Sequence, residues 1–233
     1  MKLKRLTAAV ILSSIAIASA ASAAGFADTK GHWAENIINK LADAGVVHGV
    51  SDTEFNPDGT VTRAEFLKMA LGAADIEETE YRKGECLDVT ASDWFAPCVQ
   101  SALDRGLIPE GMISGYSVEI IESENGSKAV YGGKFDGNTP IKREEMAYIT
   151  QSVYQYSLGE GSLANLEVPA DIPFEDAGTV SVWALDGIKY AYTNGLVAGM
   201  EDGTFRPQDT ATRAQAAAII SNLLDKRSVD DVQ

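Results

Sequence analysis

Apolar residues recur at helical spacing after the first tryptophan of this chain. Trp33, Ile37, Leu41 and Ala44 fall three or four positions apart, which places them on one face of a helix. Gly45 follows directly, where helices commonly end in a left-handed residue. The pattern predicts a short amphipathic helix that ends at a glycine cap.

A second set of helices is predicted to begin at three arginines. Residues 62–65 (TRAE) and 212–215 (TRAQ) have the pattern of a capping box, in which threonine caps the helix and Glu or Gln reaches back to it. The middle segment, residues 142–145 (KREE), lacks the threonine. We therefore expect a weaker cap on the middle helix.

Three segments share one spacing of landmark residues, which indicates an internal repeat. In each segment a tryptophan is followed after 12 residues by a glycine, and a phenylalanine is followed after 8 residues by an arginine. Glycine and phenylalanine are 10 residues apart in the first and third segments and 29 apart in the second, so the middle segment carries a 19-residue insertion. The landmarks are Trp33, Gly45, Phe55 and Arg63; Trp94, Gly106, Phe135 and Arg143; and Trp183, Gly195, Phe205 and Arg213.

These spacings divide the chain into three repeats with acidic or glycine-rich connectors between them. Repeat 1 covers residues 24–75, repeat 2 residues 86–156, and repeat 3 residues 173–225, with a tail at 226–233. The insertion in repeat 2, residues 112–134, alternates in polarity on both sides of an Asn-Gly pair, which predicts a β-hairpin. Its role is left open between covering a groove, contacting a ligand and meeting a partner.

The N-terminus has the pattern of a secretory signal peptide. Lys2, Lys4 and Arg5 precede an apolar stretch that is too short to span a bilayer, and residues 21–23 (ASA) fit a cleavage site. We therefore predict a leader at residues 1–23 and export of the remainder to the cell envelope or cell surface, in the cell wall or periplasm. No membrane span is predicted in the mature chain.

Composition and charge narrow the choice of partner. With 45% hydrophobic and 23% charged residues the chain is globular rather than disordered. Its formal charge of −15 disfavours nucleic acid and anionic lipid as partners. An anionic ligand would have to be bound by local positive groups that act against the overall field.

Two cysteines, Cys86 and Cys98, lie 12 positions apart in a chain predicted to be exported. Oxidation is permitted outside the cytoplasm, so we predict a disulfide between them. Metal binding is not predicted, because the two histidines, His32 and His48, lie on a different segment.

The repeated landmarks resemble those of the S-layer homology domain. The resemblance is carried in repeat 1 by residues 26–28 (FAD), 31–34 (GHWA), 55–57 (FNP) and 62–65 (TRAE), and repeat 3 follows the same order with Gln215 in place of the acidic residue. Repeat 2 diverges, and its matching residues are 93–96 (DWFA), 135–137 (FDG) and 142–145 (KREE). Together the three repeats cover nearly all of the mature chain.

The resemblance implies a mainly α fold, a pseudo-threefold spindle of three arms around a central helix bundle. It also implies grooves between arms that bind an anionic secondary cell-wall polysaccharide, whose pyruvate carboxylate the helix-start arginines would recognise. In this sequence those residues are Arg63, Arg143 and Arg213, and Gly45, Gly106 and Gly195 would let the sugar approach the backbone. The role would be envelope anchoring, with no cofactor and no catalysis.

Physical chemistry supports a ligand role for the arginines. An arginine in the first helical turn lies near the positive end of the helix dipole, which is unfavourable for stability. Free N–H groups at that helix start, together with a guanidinium, would suit a carboxylate or phosphate. The competing interpretation is that each arginine pairs with an acidic side chain of the protein.

Several alternatives stay open from the sequence. Core packing is favoured for Trp33, Trp94 and Trp183, with stacking on sugar as the second possibility. Residues 54–65 imitate a calcium-binding loop, although the other repeats lack its ligands. A structural S-layer or envelope protein that acts through protein contacts is the alternative function, and a glycan-processing enzyme is less favoured because no catalytic motif is present.

Overall fold

The fold is that of a computed structural model, which describes residues 25–123, 126–159 and 171–230. The predicted signal peptide lies outside these residues. The described chain is mainly α-helical, as predicted, with six α-helices and a two-stranded sheet. The helices that follow the tryptophans are α1 (Glu35–Asp43), α3 (Ala96–Asp104) and α5 (Leu185–Thr193), and those that begin at the arginines are α2 (Arg63–Ala73), α4 (Arg143–Ser157) and α6 (Arg213–Asp230).

The helices are arranged cyclically rather than repeat by repeat. Helices α2, α4 and α6 contact one another and form a central bundle. Of the outer helices, α3 lies on α2, α5 on α4 and α1 on α6, so each packs against the central helix of the preceding repeat. No repeat therefore buries its apolar face alone. The overall spindle outline stays a prediction.

A ring of backbone hydrogen bonds joins the strand-like residues just before the three central helices. The Val61 amide donates to Ala211 (3.2 Å), the Ala211 amide to Ile141 (3.3 Å) and the Ile141 amide to Val61 (3.0 Å). All three side chains are buried. The ring joins all three repeats to one another directly before their central helices.

The helix ends follow the sequence signals. Gly45, Gly106 and Gly195 have φ values of +71°, +65° and +72°, the left-handed conformation expected after a helix. At α2 the capping box is complete, whereas at α4 the Lys142 side chain offers no oxygen and only the Glu145 carboxylate accepts the Lys142 amide (3.0 Å). Helix α6 runs to Asp230 and so includes the start of the predicted tail.

The insertion in repeat 2 forms the predicted hairpin. Strands β1 (Ser114–Ser123) and β2 (Gly126–Lys134) pair antiparallel, with Val118 opposite Tyr131. The base of the hairpin is joined to the repeat 2 backbone, because the Gly133 amide donates to Glu85 (2.9 Å) and the Leu87 amide to Gly133 (2.7 Å). The described hydrogen bonds that join the insertion to the rest of repeat 2 therefore lie at its base, and most of the described strand residues are exposed.

The two cysteines are separate thiols, which contradicts the predicted disulfide. Cys86 and Cys98 are both buried and unbridged. Cys86 lies beside Gly133 at the hairpin base, while Cys98 on α3 faces the Glu78 carboxylate at 3.1 Å. Burial raises the pKa of each thiol to about 12, so both thiols stay protonated at neutral pH. The pair of cysteines is part of the interior rather than a crosslink.

Candidate functional site

Each repeat presents a turn that begins at its buried landmark phenylalanine. Phe55, Phe135 and Phe205 are fully buried, and the next residue has a positive φ of 57°, 53° and 57° respectively. We call these the Phe turns. The residues with positive φ are Asn56, Asp136 and Arg206.

One aspartate fixes each Phe turn by accepting two consecutive backbone amides. Asp176 accepts those of Phe205 and Arg206, both at 2.7 Å, and Asp28 makes the same pair of bonds in repeat 1. Asp88 does so in repeat 2, at 2.8 Å for both. The sequence landmarks missed Asp88, because the distance from this aspartate to the tryptophan grows from five to six to seven residues along the chain.

The three helix-start arginines reach across to the Phe turn of the next repeat. The Arg63 guanidinium donates to the Phe135 carbonyl, that of Arg143 to Phe205 and that of Arg213 to Phe55, each at 2.8 Å. The Arg143 and Arg213 guanidinium groups also lie over the rings of Phe205 and Phe55, at 4.9 and 4.6 Å. The arginines therefore lie between repeats. We name groove 1 after Arg63, groove 2 after Arg143 and groove 3 after Arg213.

The three arginines also donate hydrogen bonds to the loops that follow the glycine caps. Nη2 of Arg213 donates to the His48 carbonyl (2.9 Å), and Nη2 of Arg143 to Ala198 (3.1 Å); in groove 1, Nη1 of Arg63 reaches Met112 (3.3 Å). A Cβ added at any of the three glycines would meet nothing within 4 Å. The left-handed backbone accounts for a glycine at each of these three positions, and none of the described hydrogen bonds joins them to the arginines.

The helix N-termini are closed to an anion, contrary to the expectation from the sequence. The Arg63 amide donates to Thr139 (3.0 Å) and the Ala64 amide to Gly137 (2.9 Å), both in the Phe turn of repeat 2. Helices α4 and α6 make the same two bonds with repeats 3 and 1. The first N–H groups were expected to be free because their partners belong to another repeat and cannot be seen locally.

The three arginines differ in whether a carboxylate of the protein pairs with them. Nε and Nη2 of Arg63 both contact the buried Glu145 carboxylate, with Nε to Oε2 at 3.2 Å, and Nη1 of Arg213 contacts Glu65 at 3.2 Å. The competing interpretation, an acidic partner within the protein, therefore applies to these two. Arg143 has no carboxylate within ion-pair distance among the described residues. Burial lowers the pKa of the Arg143 guanidinium, an effect opposed by the more distant Asp209.

Two of the three tryptophans lie at the surface, although core packing was the favoured interpretation of the sequence. Trp33 and Trp94 are 62% and 56% exposed, so core packing is wrong for these two. Trp183 is partly buried and meets Tyr148 edge-on, with ring centroids 5.8 Å apart. The small residues Ala34, Ala96 and Ala184 fill the core positions beside them. Two of the three indole rings therefore lie at the protein surface.

In residues 54–65 of repeat 1, which resemble a calcium-binding loop, the last candidate ligand makes other contacts. Glu65, which would be its last ligand, accepts the Thr62 amide at 2.8 Å and pairs with Arg213. Within the described ranges no cluster of three His, Cys, Asp or Glu side chains is placed to hold a metal ion. None of the helices described there is long and apolar enough to cross a membrane.

Comparison with known proteins agrees with this geometry. The model of the S-layer homology domain matches residues 25–67 and 173–217, which lie within repeats 1 and 3. The chain therefore carries S-layer homology domains, and repeat 2 makes the same arginine, aspartate and backbone contacts as the two matched repeats.

Three relatives illustrate where such sequences occur. An amylopullulanase of Thermoanaerobacterium thermosulfurigenes is 35% identical over 201 residues, covering 86% of this chain and 10% of that protein. The surface-layer 125 kDa protein of Lysinibacillus sphaericus is 26% identical over 94% of this chain and 16% of its own length. A cellulosome-anchoring protein of Acetivibrio thermocellus is 23% identical over 74% of this chain and 34% of its own length. The chain thus spans between 10% and 34% of the length of these relatives.

Proposed function

We propose that this chain attaches to the bacterial cell envelope by binding an anionic, pyruvylated wall polysaccharide in the grooves between its repeats. The observation that carries the proposal is the position of Arg63, Arg143 and Arg213, each of which lies between two repeats on the Phe turn of the next one. The named surface-layer and cellulosome-anchoring relatives support an envelope role. Export by the predicted signal peptide belongs to the same proposal.

Two kinds of side chain would divide the recognition. A guanidinium can hold a carboxylate through two parallel hydrogen bonds, which suits the acidic group of the sugar. The exposed indoles of Trp33 and Trp94 offer flat apolar faces on which a pyranose ring can stack. Neither contact requires catalysis, so the purified protein should release no sugar from wall material.

The test is co-sedimentation of the protein, from residue 24 onward, with cell-wall sacculi that carry pyruvylated polysaccharide. We expect saturable binding that falls when mild acid removes the pyruvate groups and when both Trp33 and Trp94 are replaced by alanine. Because these tryptophans are exposed, the double variant should remain folded, and circular dichroism would verify this. Val182→Ala, at a residue that is 93% exposed, is the matched control. Undiminished binding to acid-treated sacculi would contradict the proposal.

A second candidate function, docking of another envelope or S-layer protein, is favoured by the hairpin. Tyr116, Val118, Ile120 and Tyr131 are all more than two fifths exposed, and the rings of Tyr116 and Tyr131 stack with centroids 5.4 Å apart. Deletion of the hairpin should leave sacculus binding intact and abolish cross-linking to a surface-layer protein. Loss of sacculus binding in that deletion would instead assign the hairpin to the glycan site.

A further inference from the structure

The three arginines face equivalent positions that carry different side chains. In groove 3 this position is Glu65 and in groove 1 it is Glu145, and both carboxylates contact their arginine. In groove 2 it is Gln215. The Gln215 side-chain oxygen accepts the Thr212 amide at 3.1 Å and makes no contact with Arg143. Glu and Gln have nearly the same shape, so groove 2 differs in charge rather than in form.

One nitrogen of Arg143 has no hydrogen-bond partner in the described part of the chain. Nε and Nη2 of Arg143 donate to the Phe205 and Ala198 carbonyls, whereas its Nη1 makes no such bond. In groove 3 the corresponding atom, Nη1 of Arg213, contacts Glu65. Arg143 is only 7% exposed as a residue, so little of its guanidinium group can be reached by water or by a ligand. Nη1 is not sealed from solvent. An added anion could therefore satisfy it.

The remaining charges around groove 2 are of both signs, and Arg206 is a positive side chain that the other two grooves lack. Arg206 follows Phe205, where grooves 3 and 1 have Asn56 and Asp136. It pairs with Asp202 at 2.6 Å, but both partners are about half exposed, and such pairs are weak. Asp176 and Asp209 add negative charge near Arg143. The Asp176 carboxylate is occupied by the amides of the Phe turn.

Glu144 is the other acidic group near the start of α4. Its carboxylate accepts the Ser181 amide (3.0 Å) and the Ser181 hydroxyl (2.9 Å). It is buried and directed to repeat 3 rather than to Arg143. In grooves 1 and 3, by contrast, an entering carboxylate would have to displace one that already holds the arginine.

We propose that groove 2 binds the acidic group of the polysaccharide and that grooves 1 and 3 are closed to an anion by their own carboxylates. The exposed Trp33 and Trp94 would then contact uncharged sugars of the same polymer. Nη1 of Arg143 and the Gln215 amide would receive the carboxylate of the acidic sugar, with Arg206 at the rim. This assignment rests on the proposed function. It makes the stoichiometry one ligand per chain, not the three that the repeat symmetry suggests.

The test is calorimetric titration with an N-acetylhexosamine methyl glycoside that carries a pyruvate ketal, alongside its uncharged methyl ester. Wild type should bind one equivalent of the acid and none of the ester. Gln215→Glu supplies the carboxylate found in the other grooves and should lower affinity at least tenfold. Arg206→Gln should lower it about threefold. Ser228→Glu is the matched control, since it adds the same charge to α6 about 20 Å along the helix, beyond the screening length of roughly 10 Å.

The converse variant, Glu65→Gln, should open groove 3 and raise the stoichiometry to two. Circular dichroism would verify that each variant is folded. No binding of the acid, or unchanged affinity in Gln215→Glu, would overturn the assignment of groove 2. If sacculi still bind wild type and Gln215→Glu equally, the anchoring function stands while this assignment fails. If sacculi do not bind wild type, the anchoring function itself fails.

Discussion

Grooves 1 and 2 are built from the same parts and differ in how their arginine is neutralised. In both, an arginine donates to the carbonyl of the next Phe turn at 2.8 Å, and an aspartate holds that turn through two amides. In groove 1 Glu145 forms an ion pair with Arg63, whereas in groove 2 the facing residue is the neutral Gln215 and no described carboxylate lies within ion-pair distance of Arg143. The comparison shows that the repeats preserve their joining contacts, while one Glu-to-Gln difference separates an arginine that is ion-paired from one that is not.

The largest expected effect is on stability and distinguishes Glu145, which faces Arg63, from Gln215, which faces Arg143. Glu145→Ala leaves Arg63, whose side chain is only 15% exposed, without its counter-ion, and should lower the free energy of unfolding by about 3–5 kcal/mol. Gln215→Ala loses one neutral hydrogen bond and should cost about 1 kcal/mol. Urea unfolding followed by far-ultraviolet circular dichroism measures both. Equal losses would mean that the Arg63 and Glu145 pair is not a buried ion pair.

The second prediction concerns the scaffold that the grooves share. Asp88→Ala and Asp176→Ala each remove a carboxylate that accepts two amides. Each should lower the free energy of unfolding by about 2 kcal/mol, since hydrogen bonds to charged groups contribute more than neutral ones. The two losses, compared in the same urea experiment, should agree. A difference larger than about 1 kcal/mol would show that the two Phe turns are not equivalent.

A smaller loss is expected at the glycine caps. Gly106→Ala and Gly195→Ala should each cost about 1–2 kcal/mol, because a residue with a Cβ is strained at positive φ. Space is not the cause, as an added Cβ would meet nothing within 4 Å. Thermal unfolding should show a lower midpoint for both variants, with ligand affinity retained. A Gly195→Ala variant that is as stable as wild type but no longer binds would instead give this glycine a direct ligand role.

The smallest effect is a gain at the start of α4. Lys142→Thr supplies the side-chain oxygen that caps α2 and that α4 lacks, and should raise the free energy of unfolding by about 1 kcal/mol. Thr62→Ala is the reference variant and should lose a similar amount. If Lys142→Thr destabilises the protein, the contact of Lys142 with Gln208 (2.8 Å) outweighs the missing cap.

Local features of the fold could be predicted because their causes lie within a few residues. The helix starts at Arg63, Arg143 and Arg213 follow from capping patterns, and the glycine caps follow from backbone conformation. The hairpin follows from alternating polarity around its turn. Short-range periodicity and turn chemistry determine all of these.

Burial was harder to predict than secondary structure. Trp33 and Trp94 were favoured as core residues from their size, yet the alanines beside them occupy the interior. Cys86 and Cys98 are close in sequence but lie in different surroundings, one at the hairpin base and one on α3. Which side of a short helix faces the centre depends on the neighbouring repeat, and each outer helix packs on a helix of the preceding repeat.

The sequence by itself determined the repeats, the helices and the three candidate arginines. Only the tertiary structure decided which of those arginines is neutralised. Glu145 is 82 residues from Arg63, and Glu65 is 148 residues from Arg213. Such partners meet because cyclic packing brings the start of each central helix against the next repeat, and no local pattern encodes that encounter. The charge left on Arg143 is therefore a property of the assembled repeats.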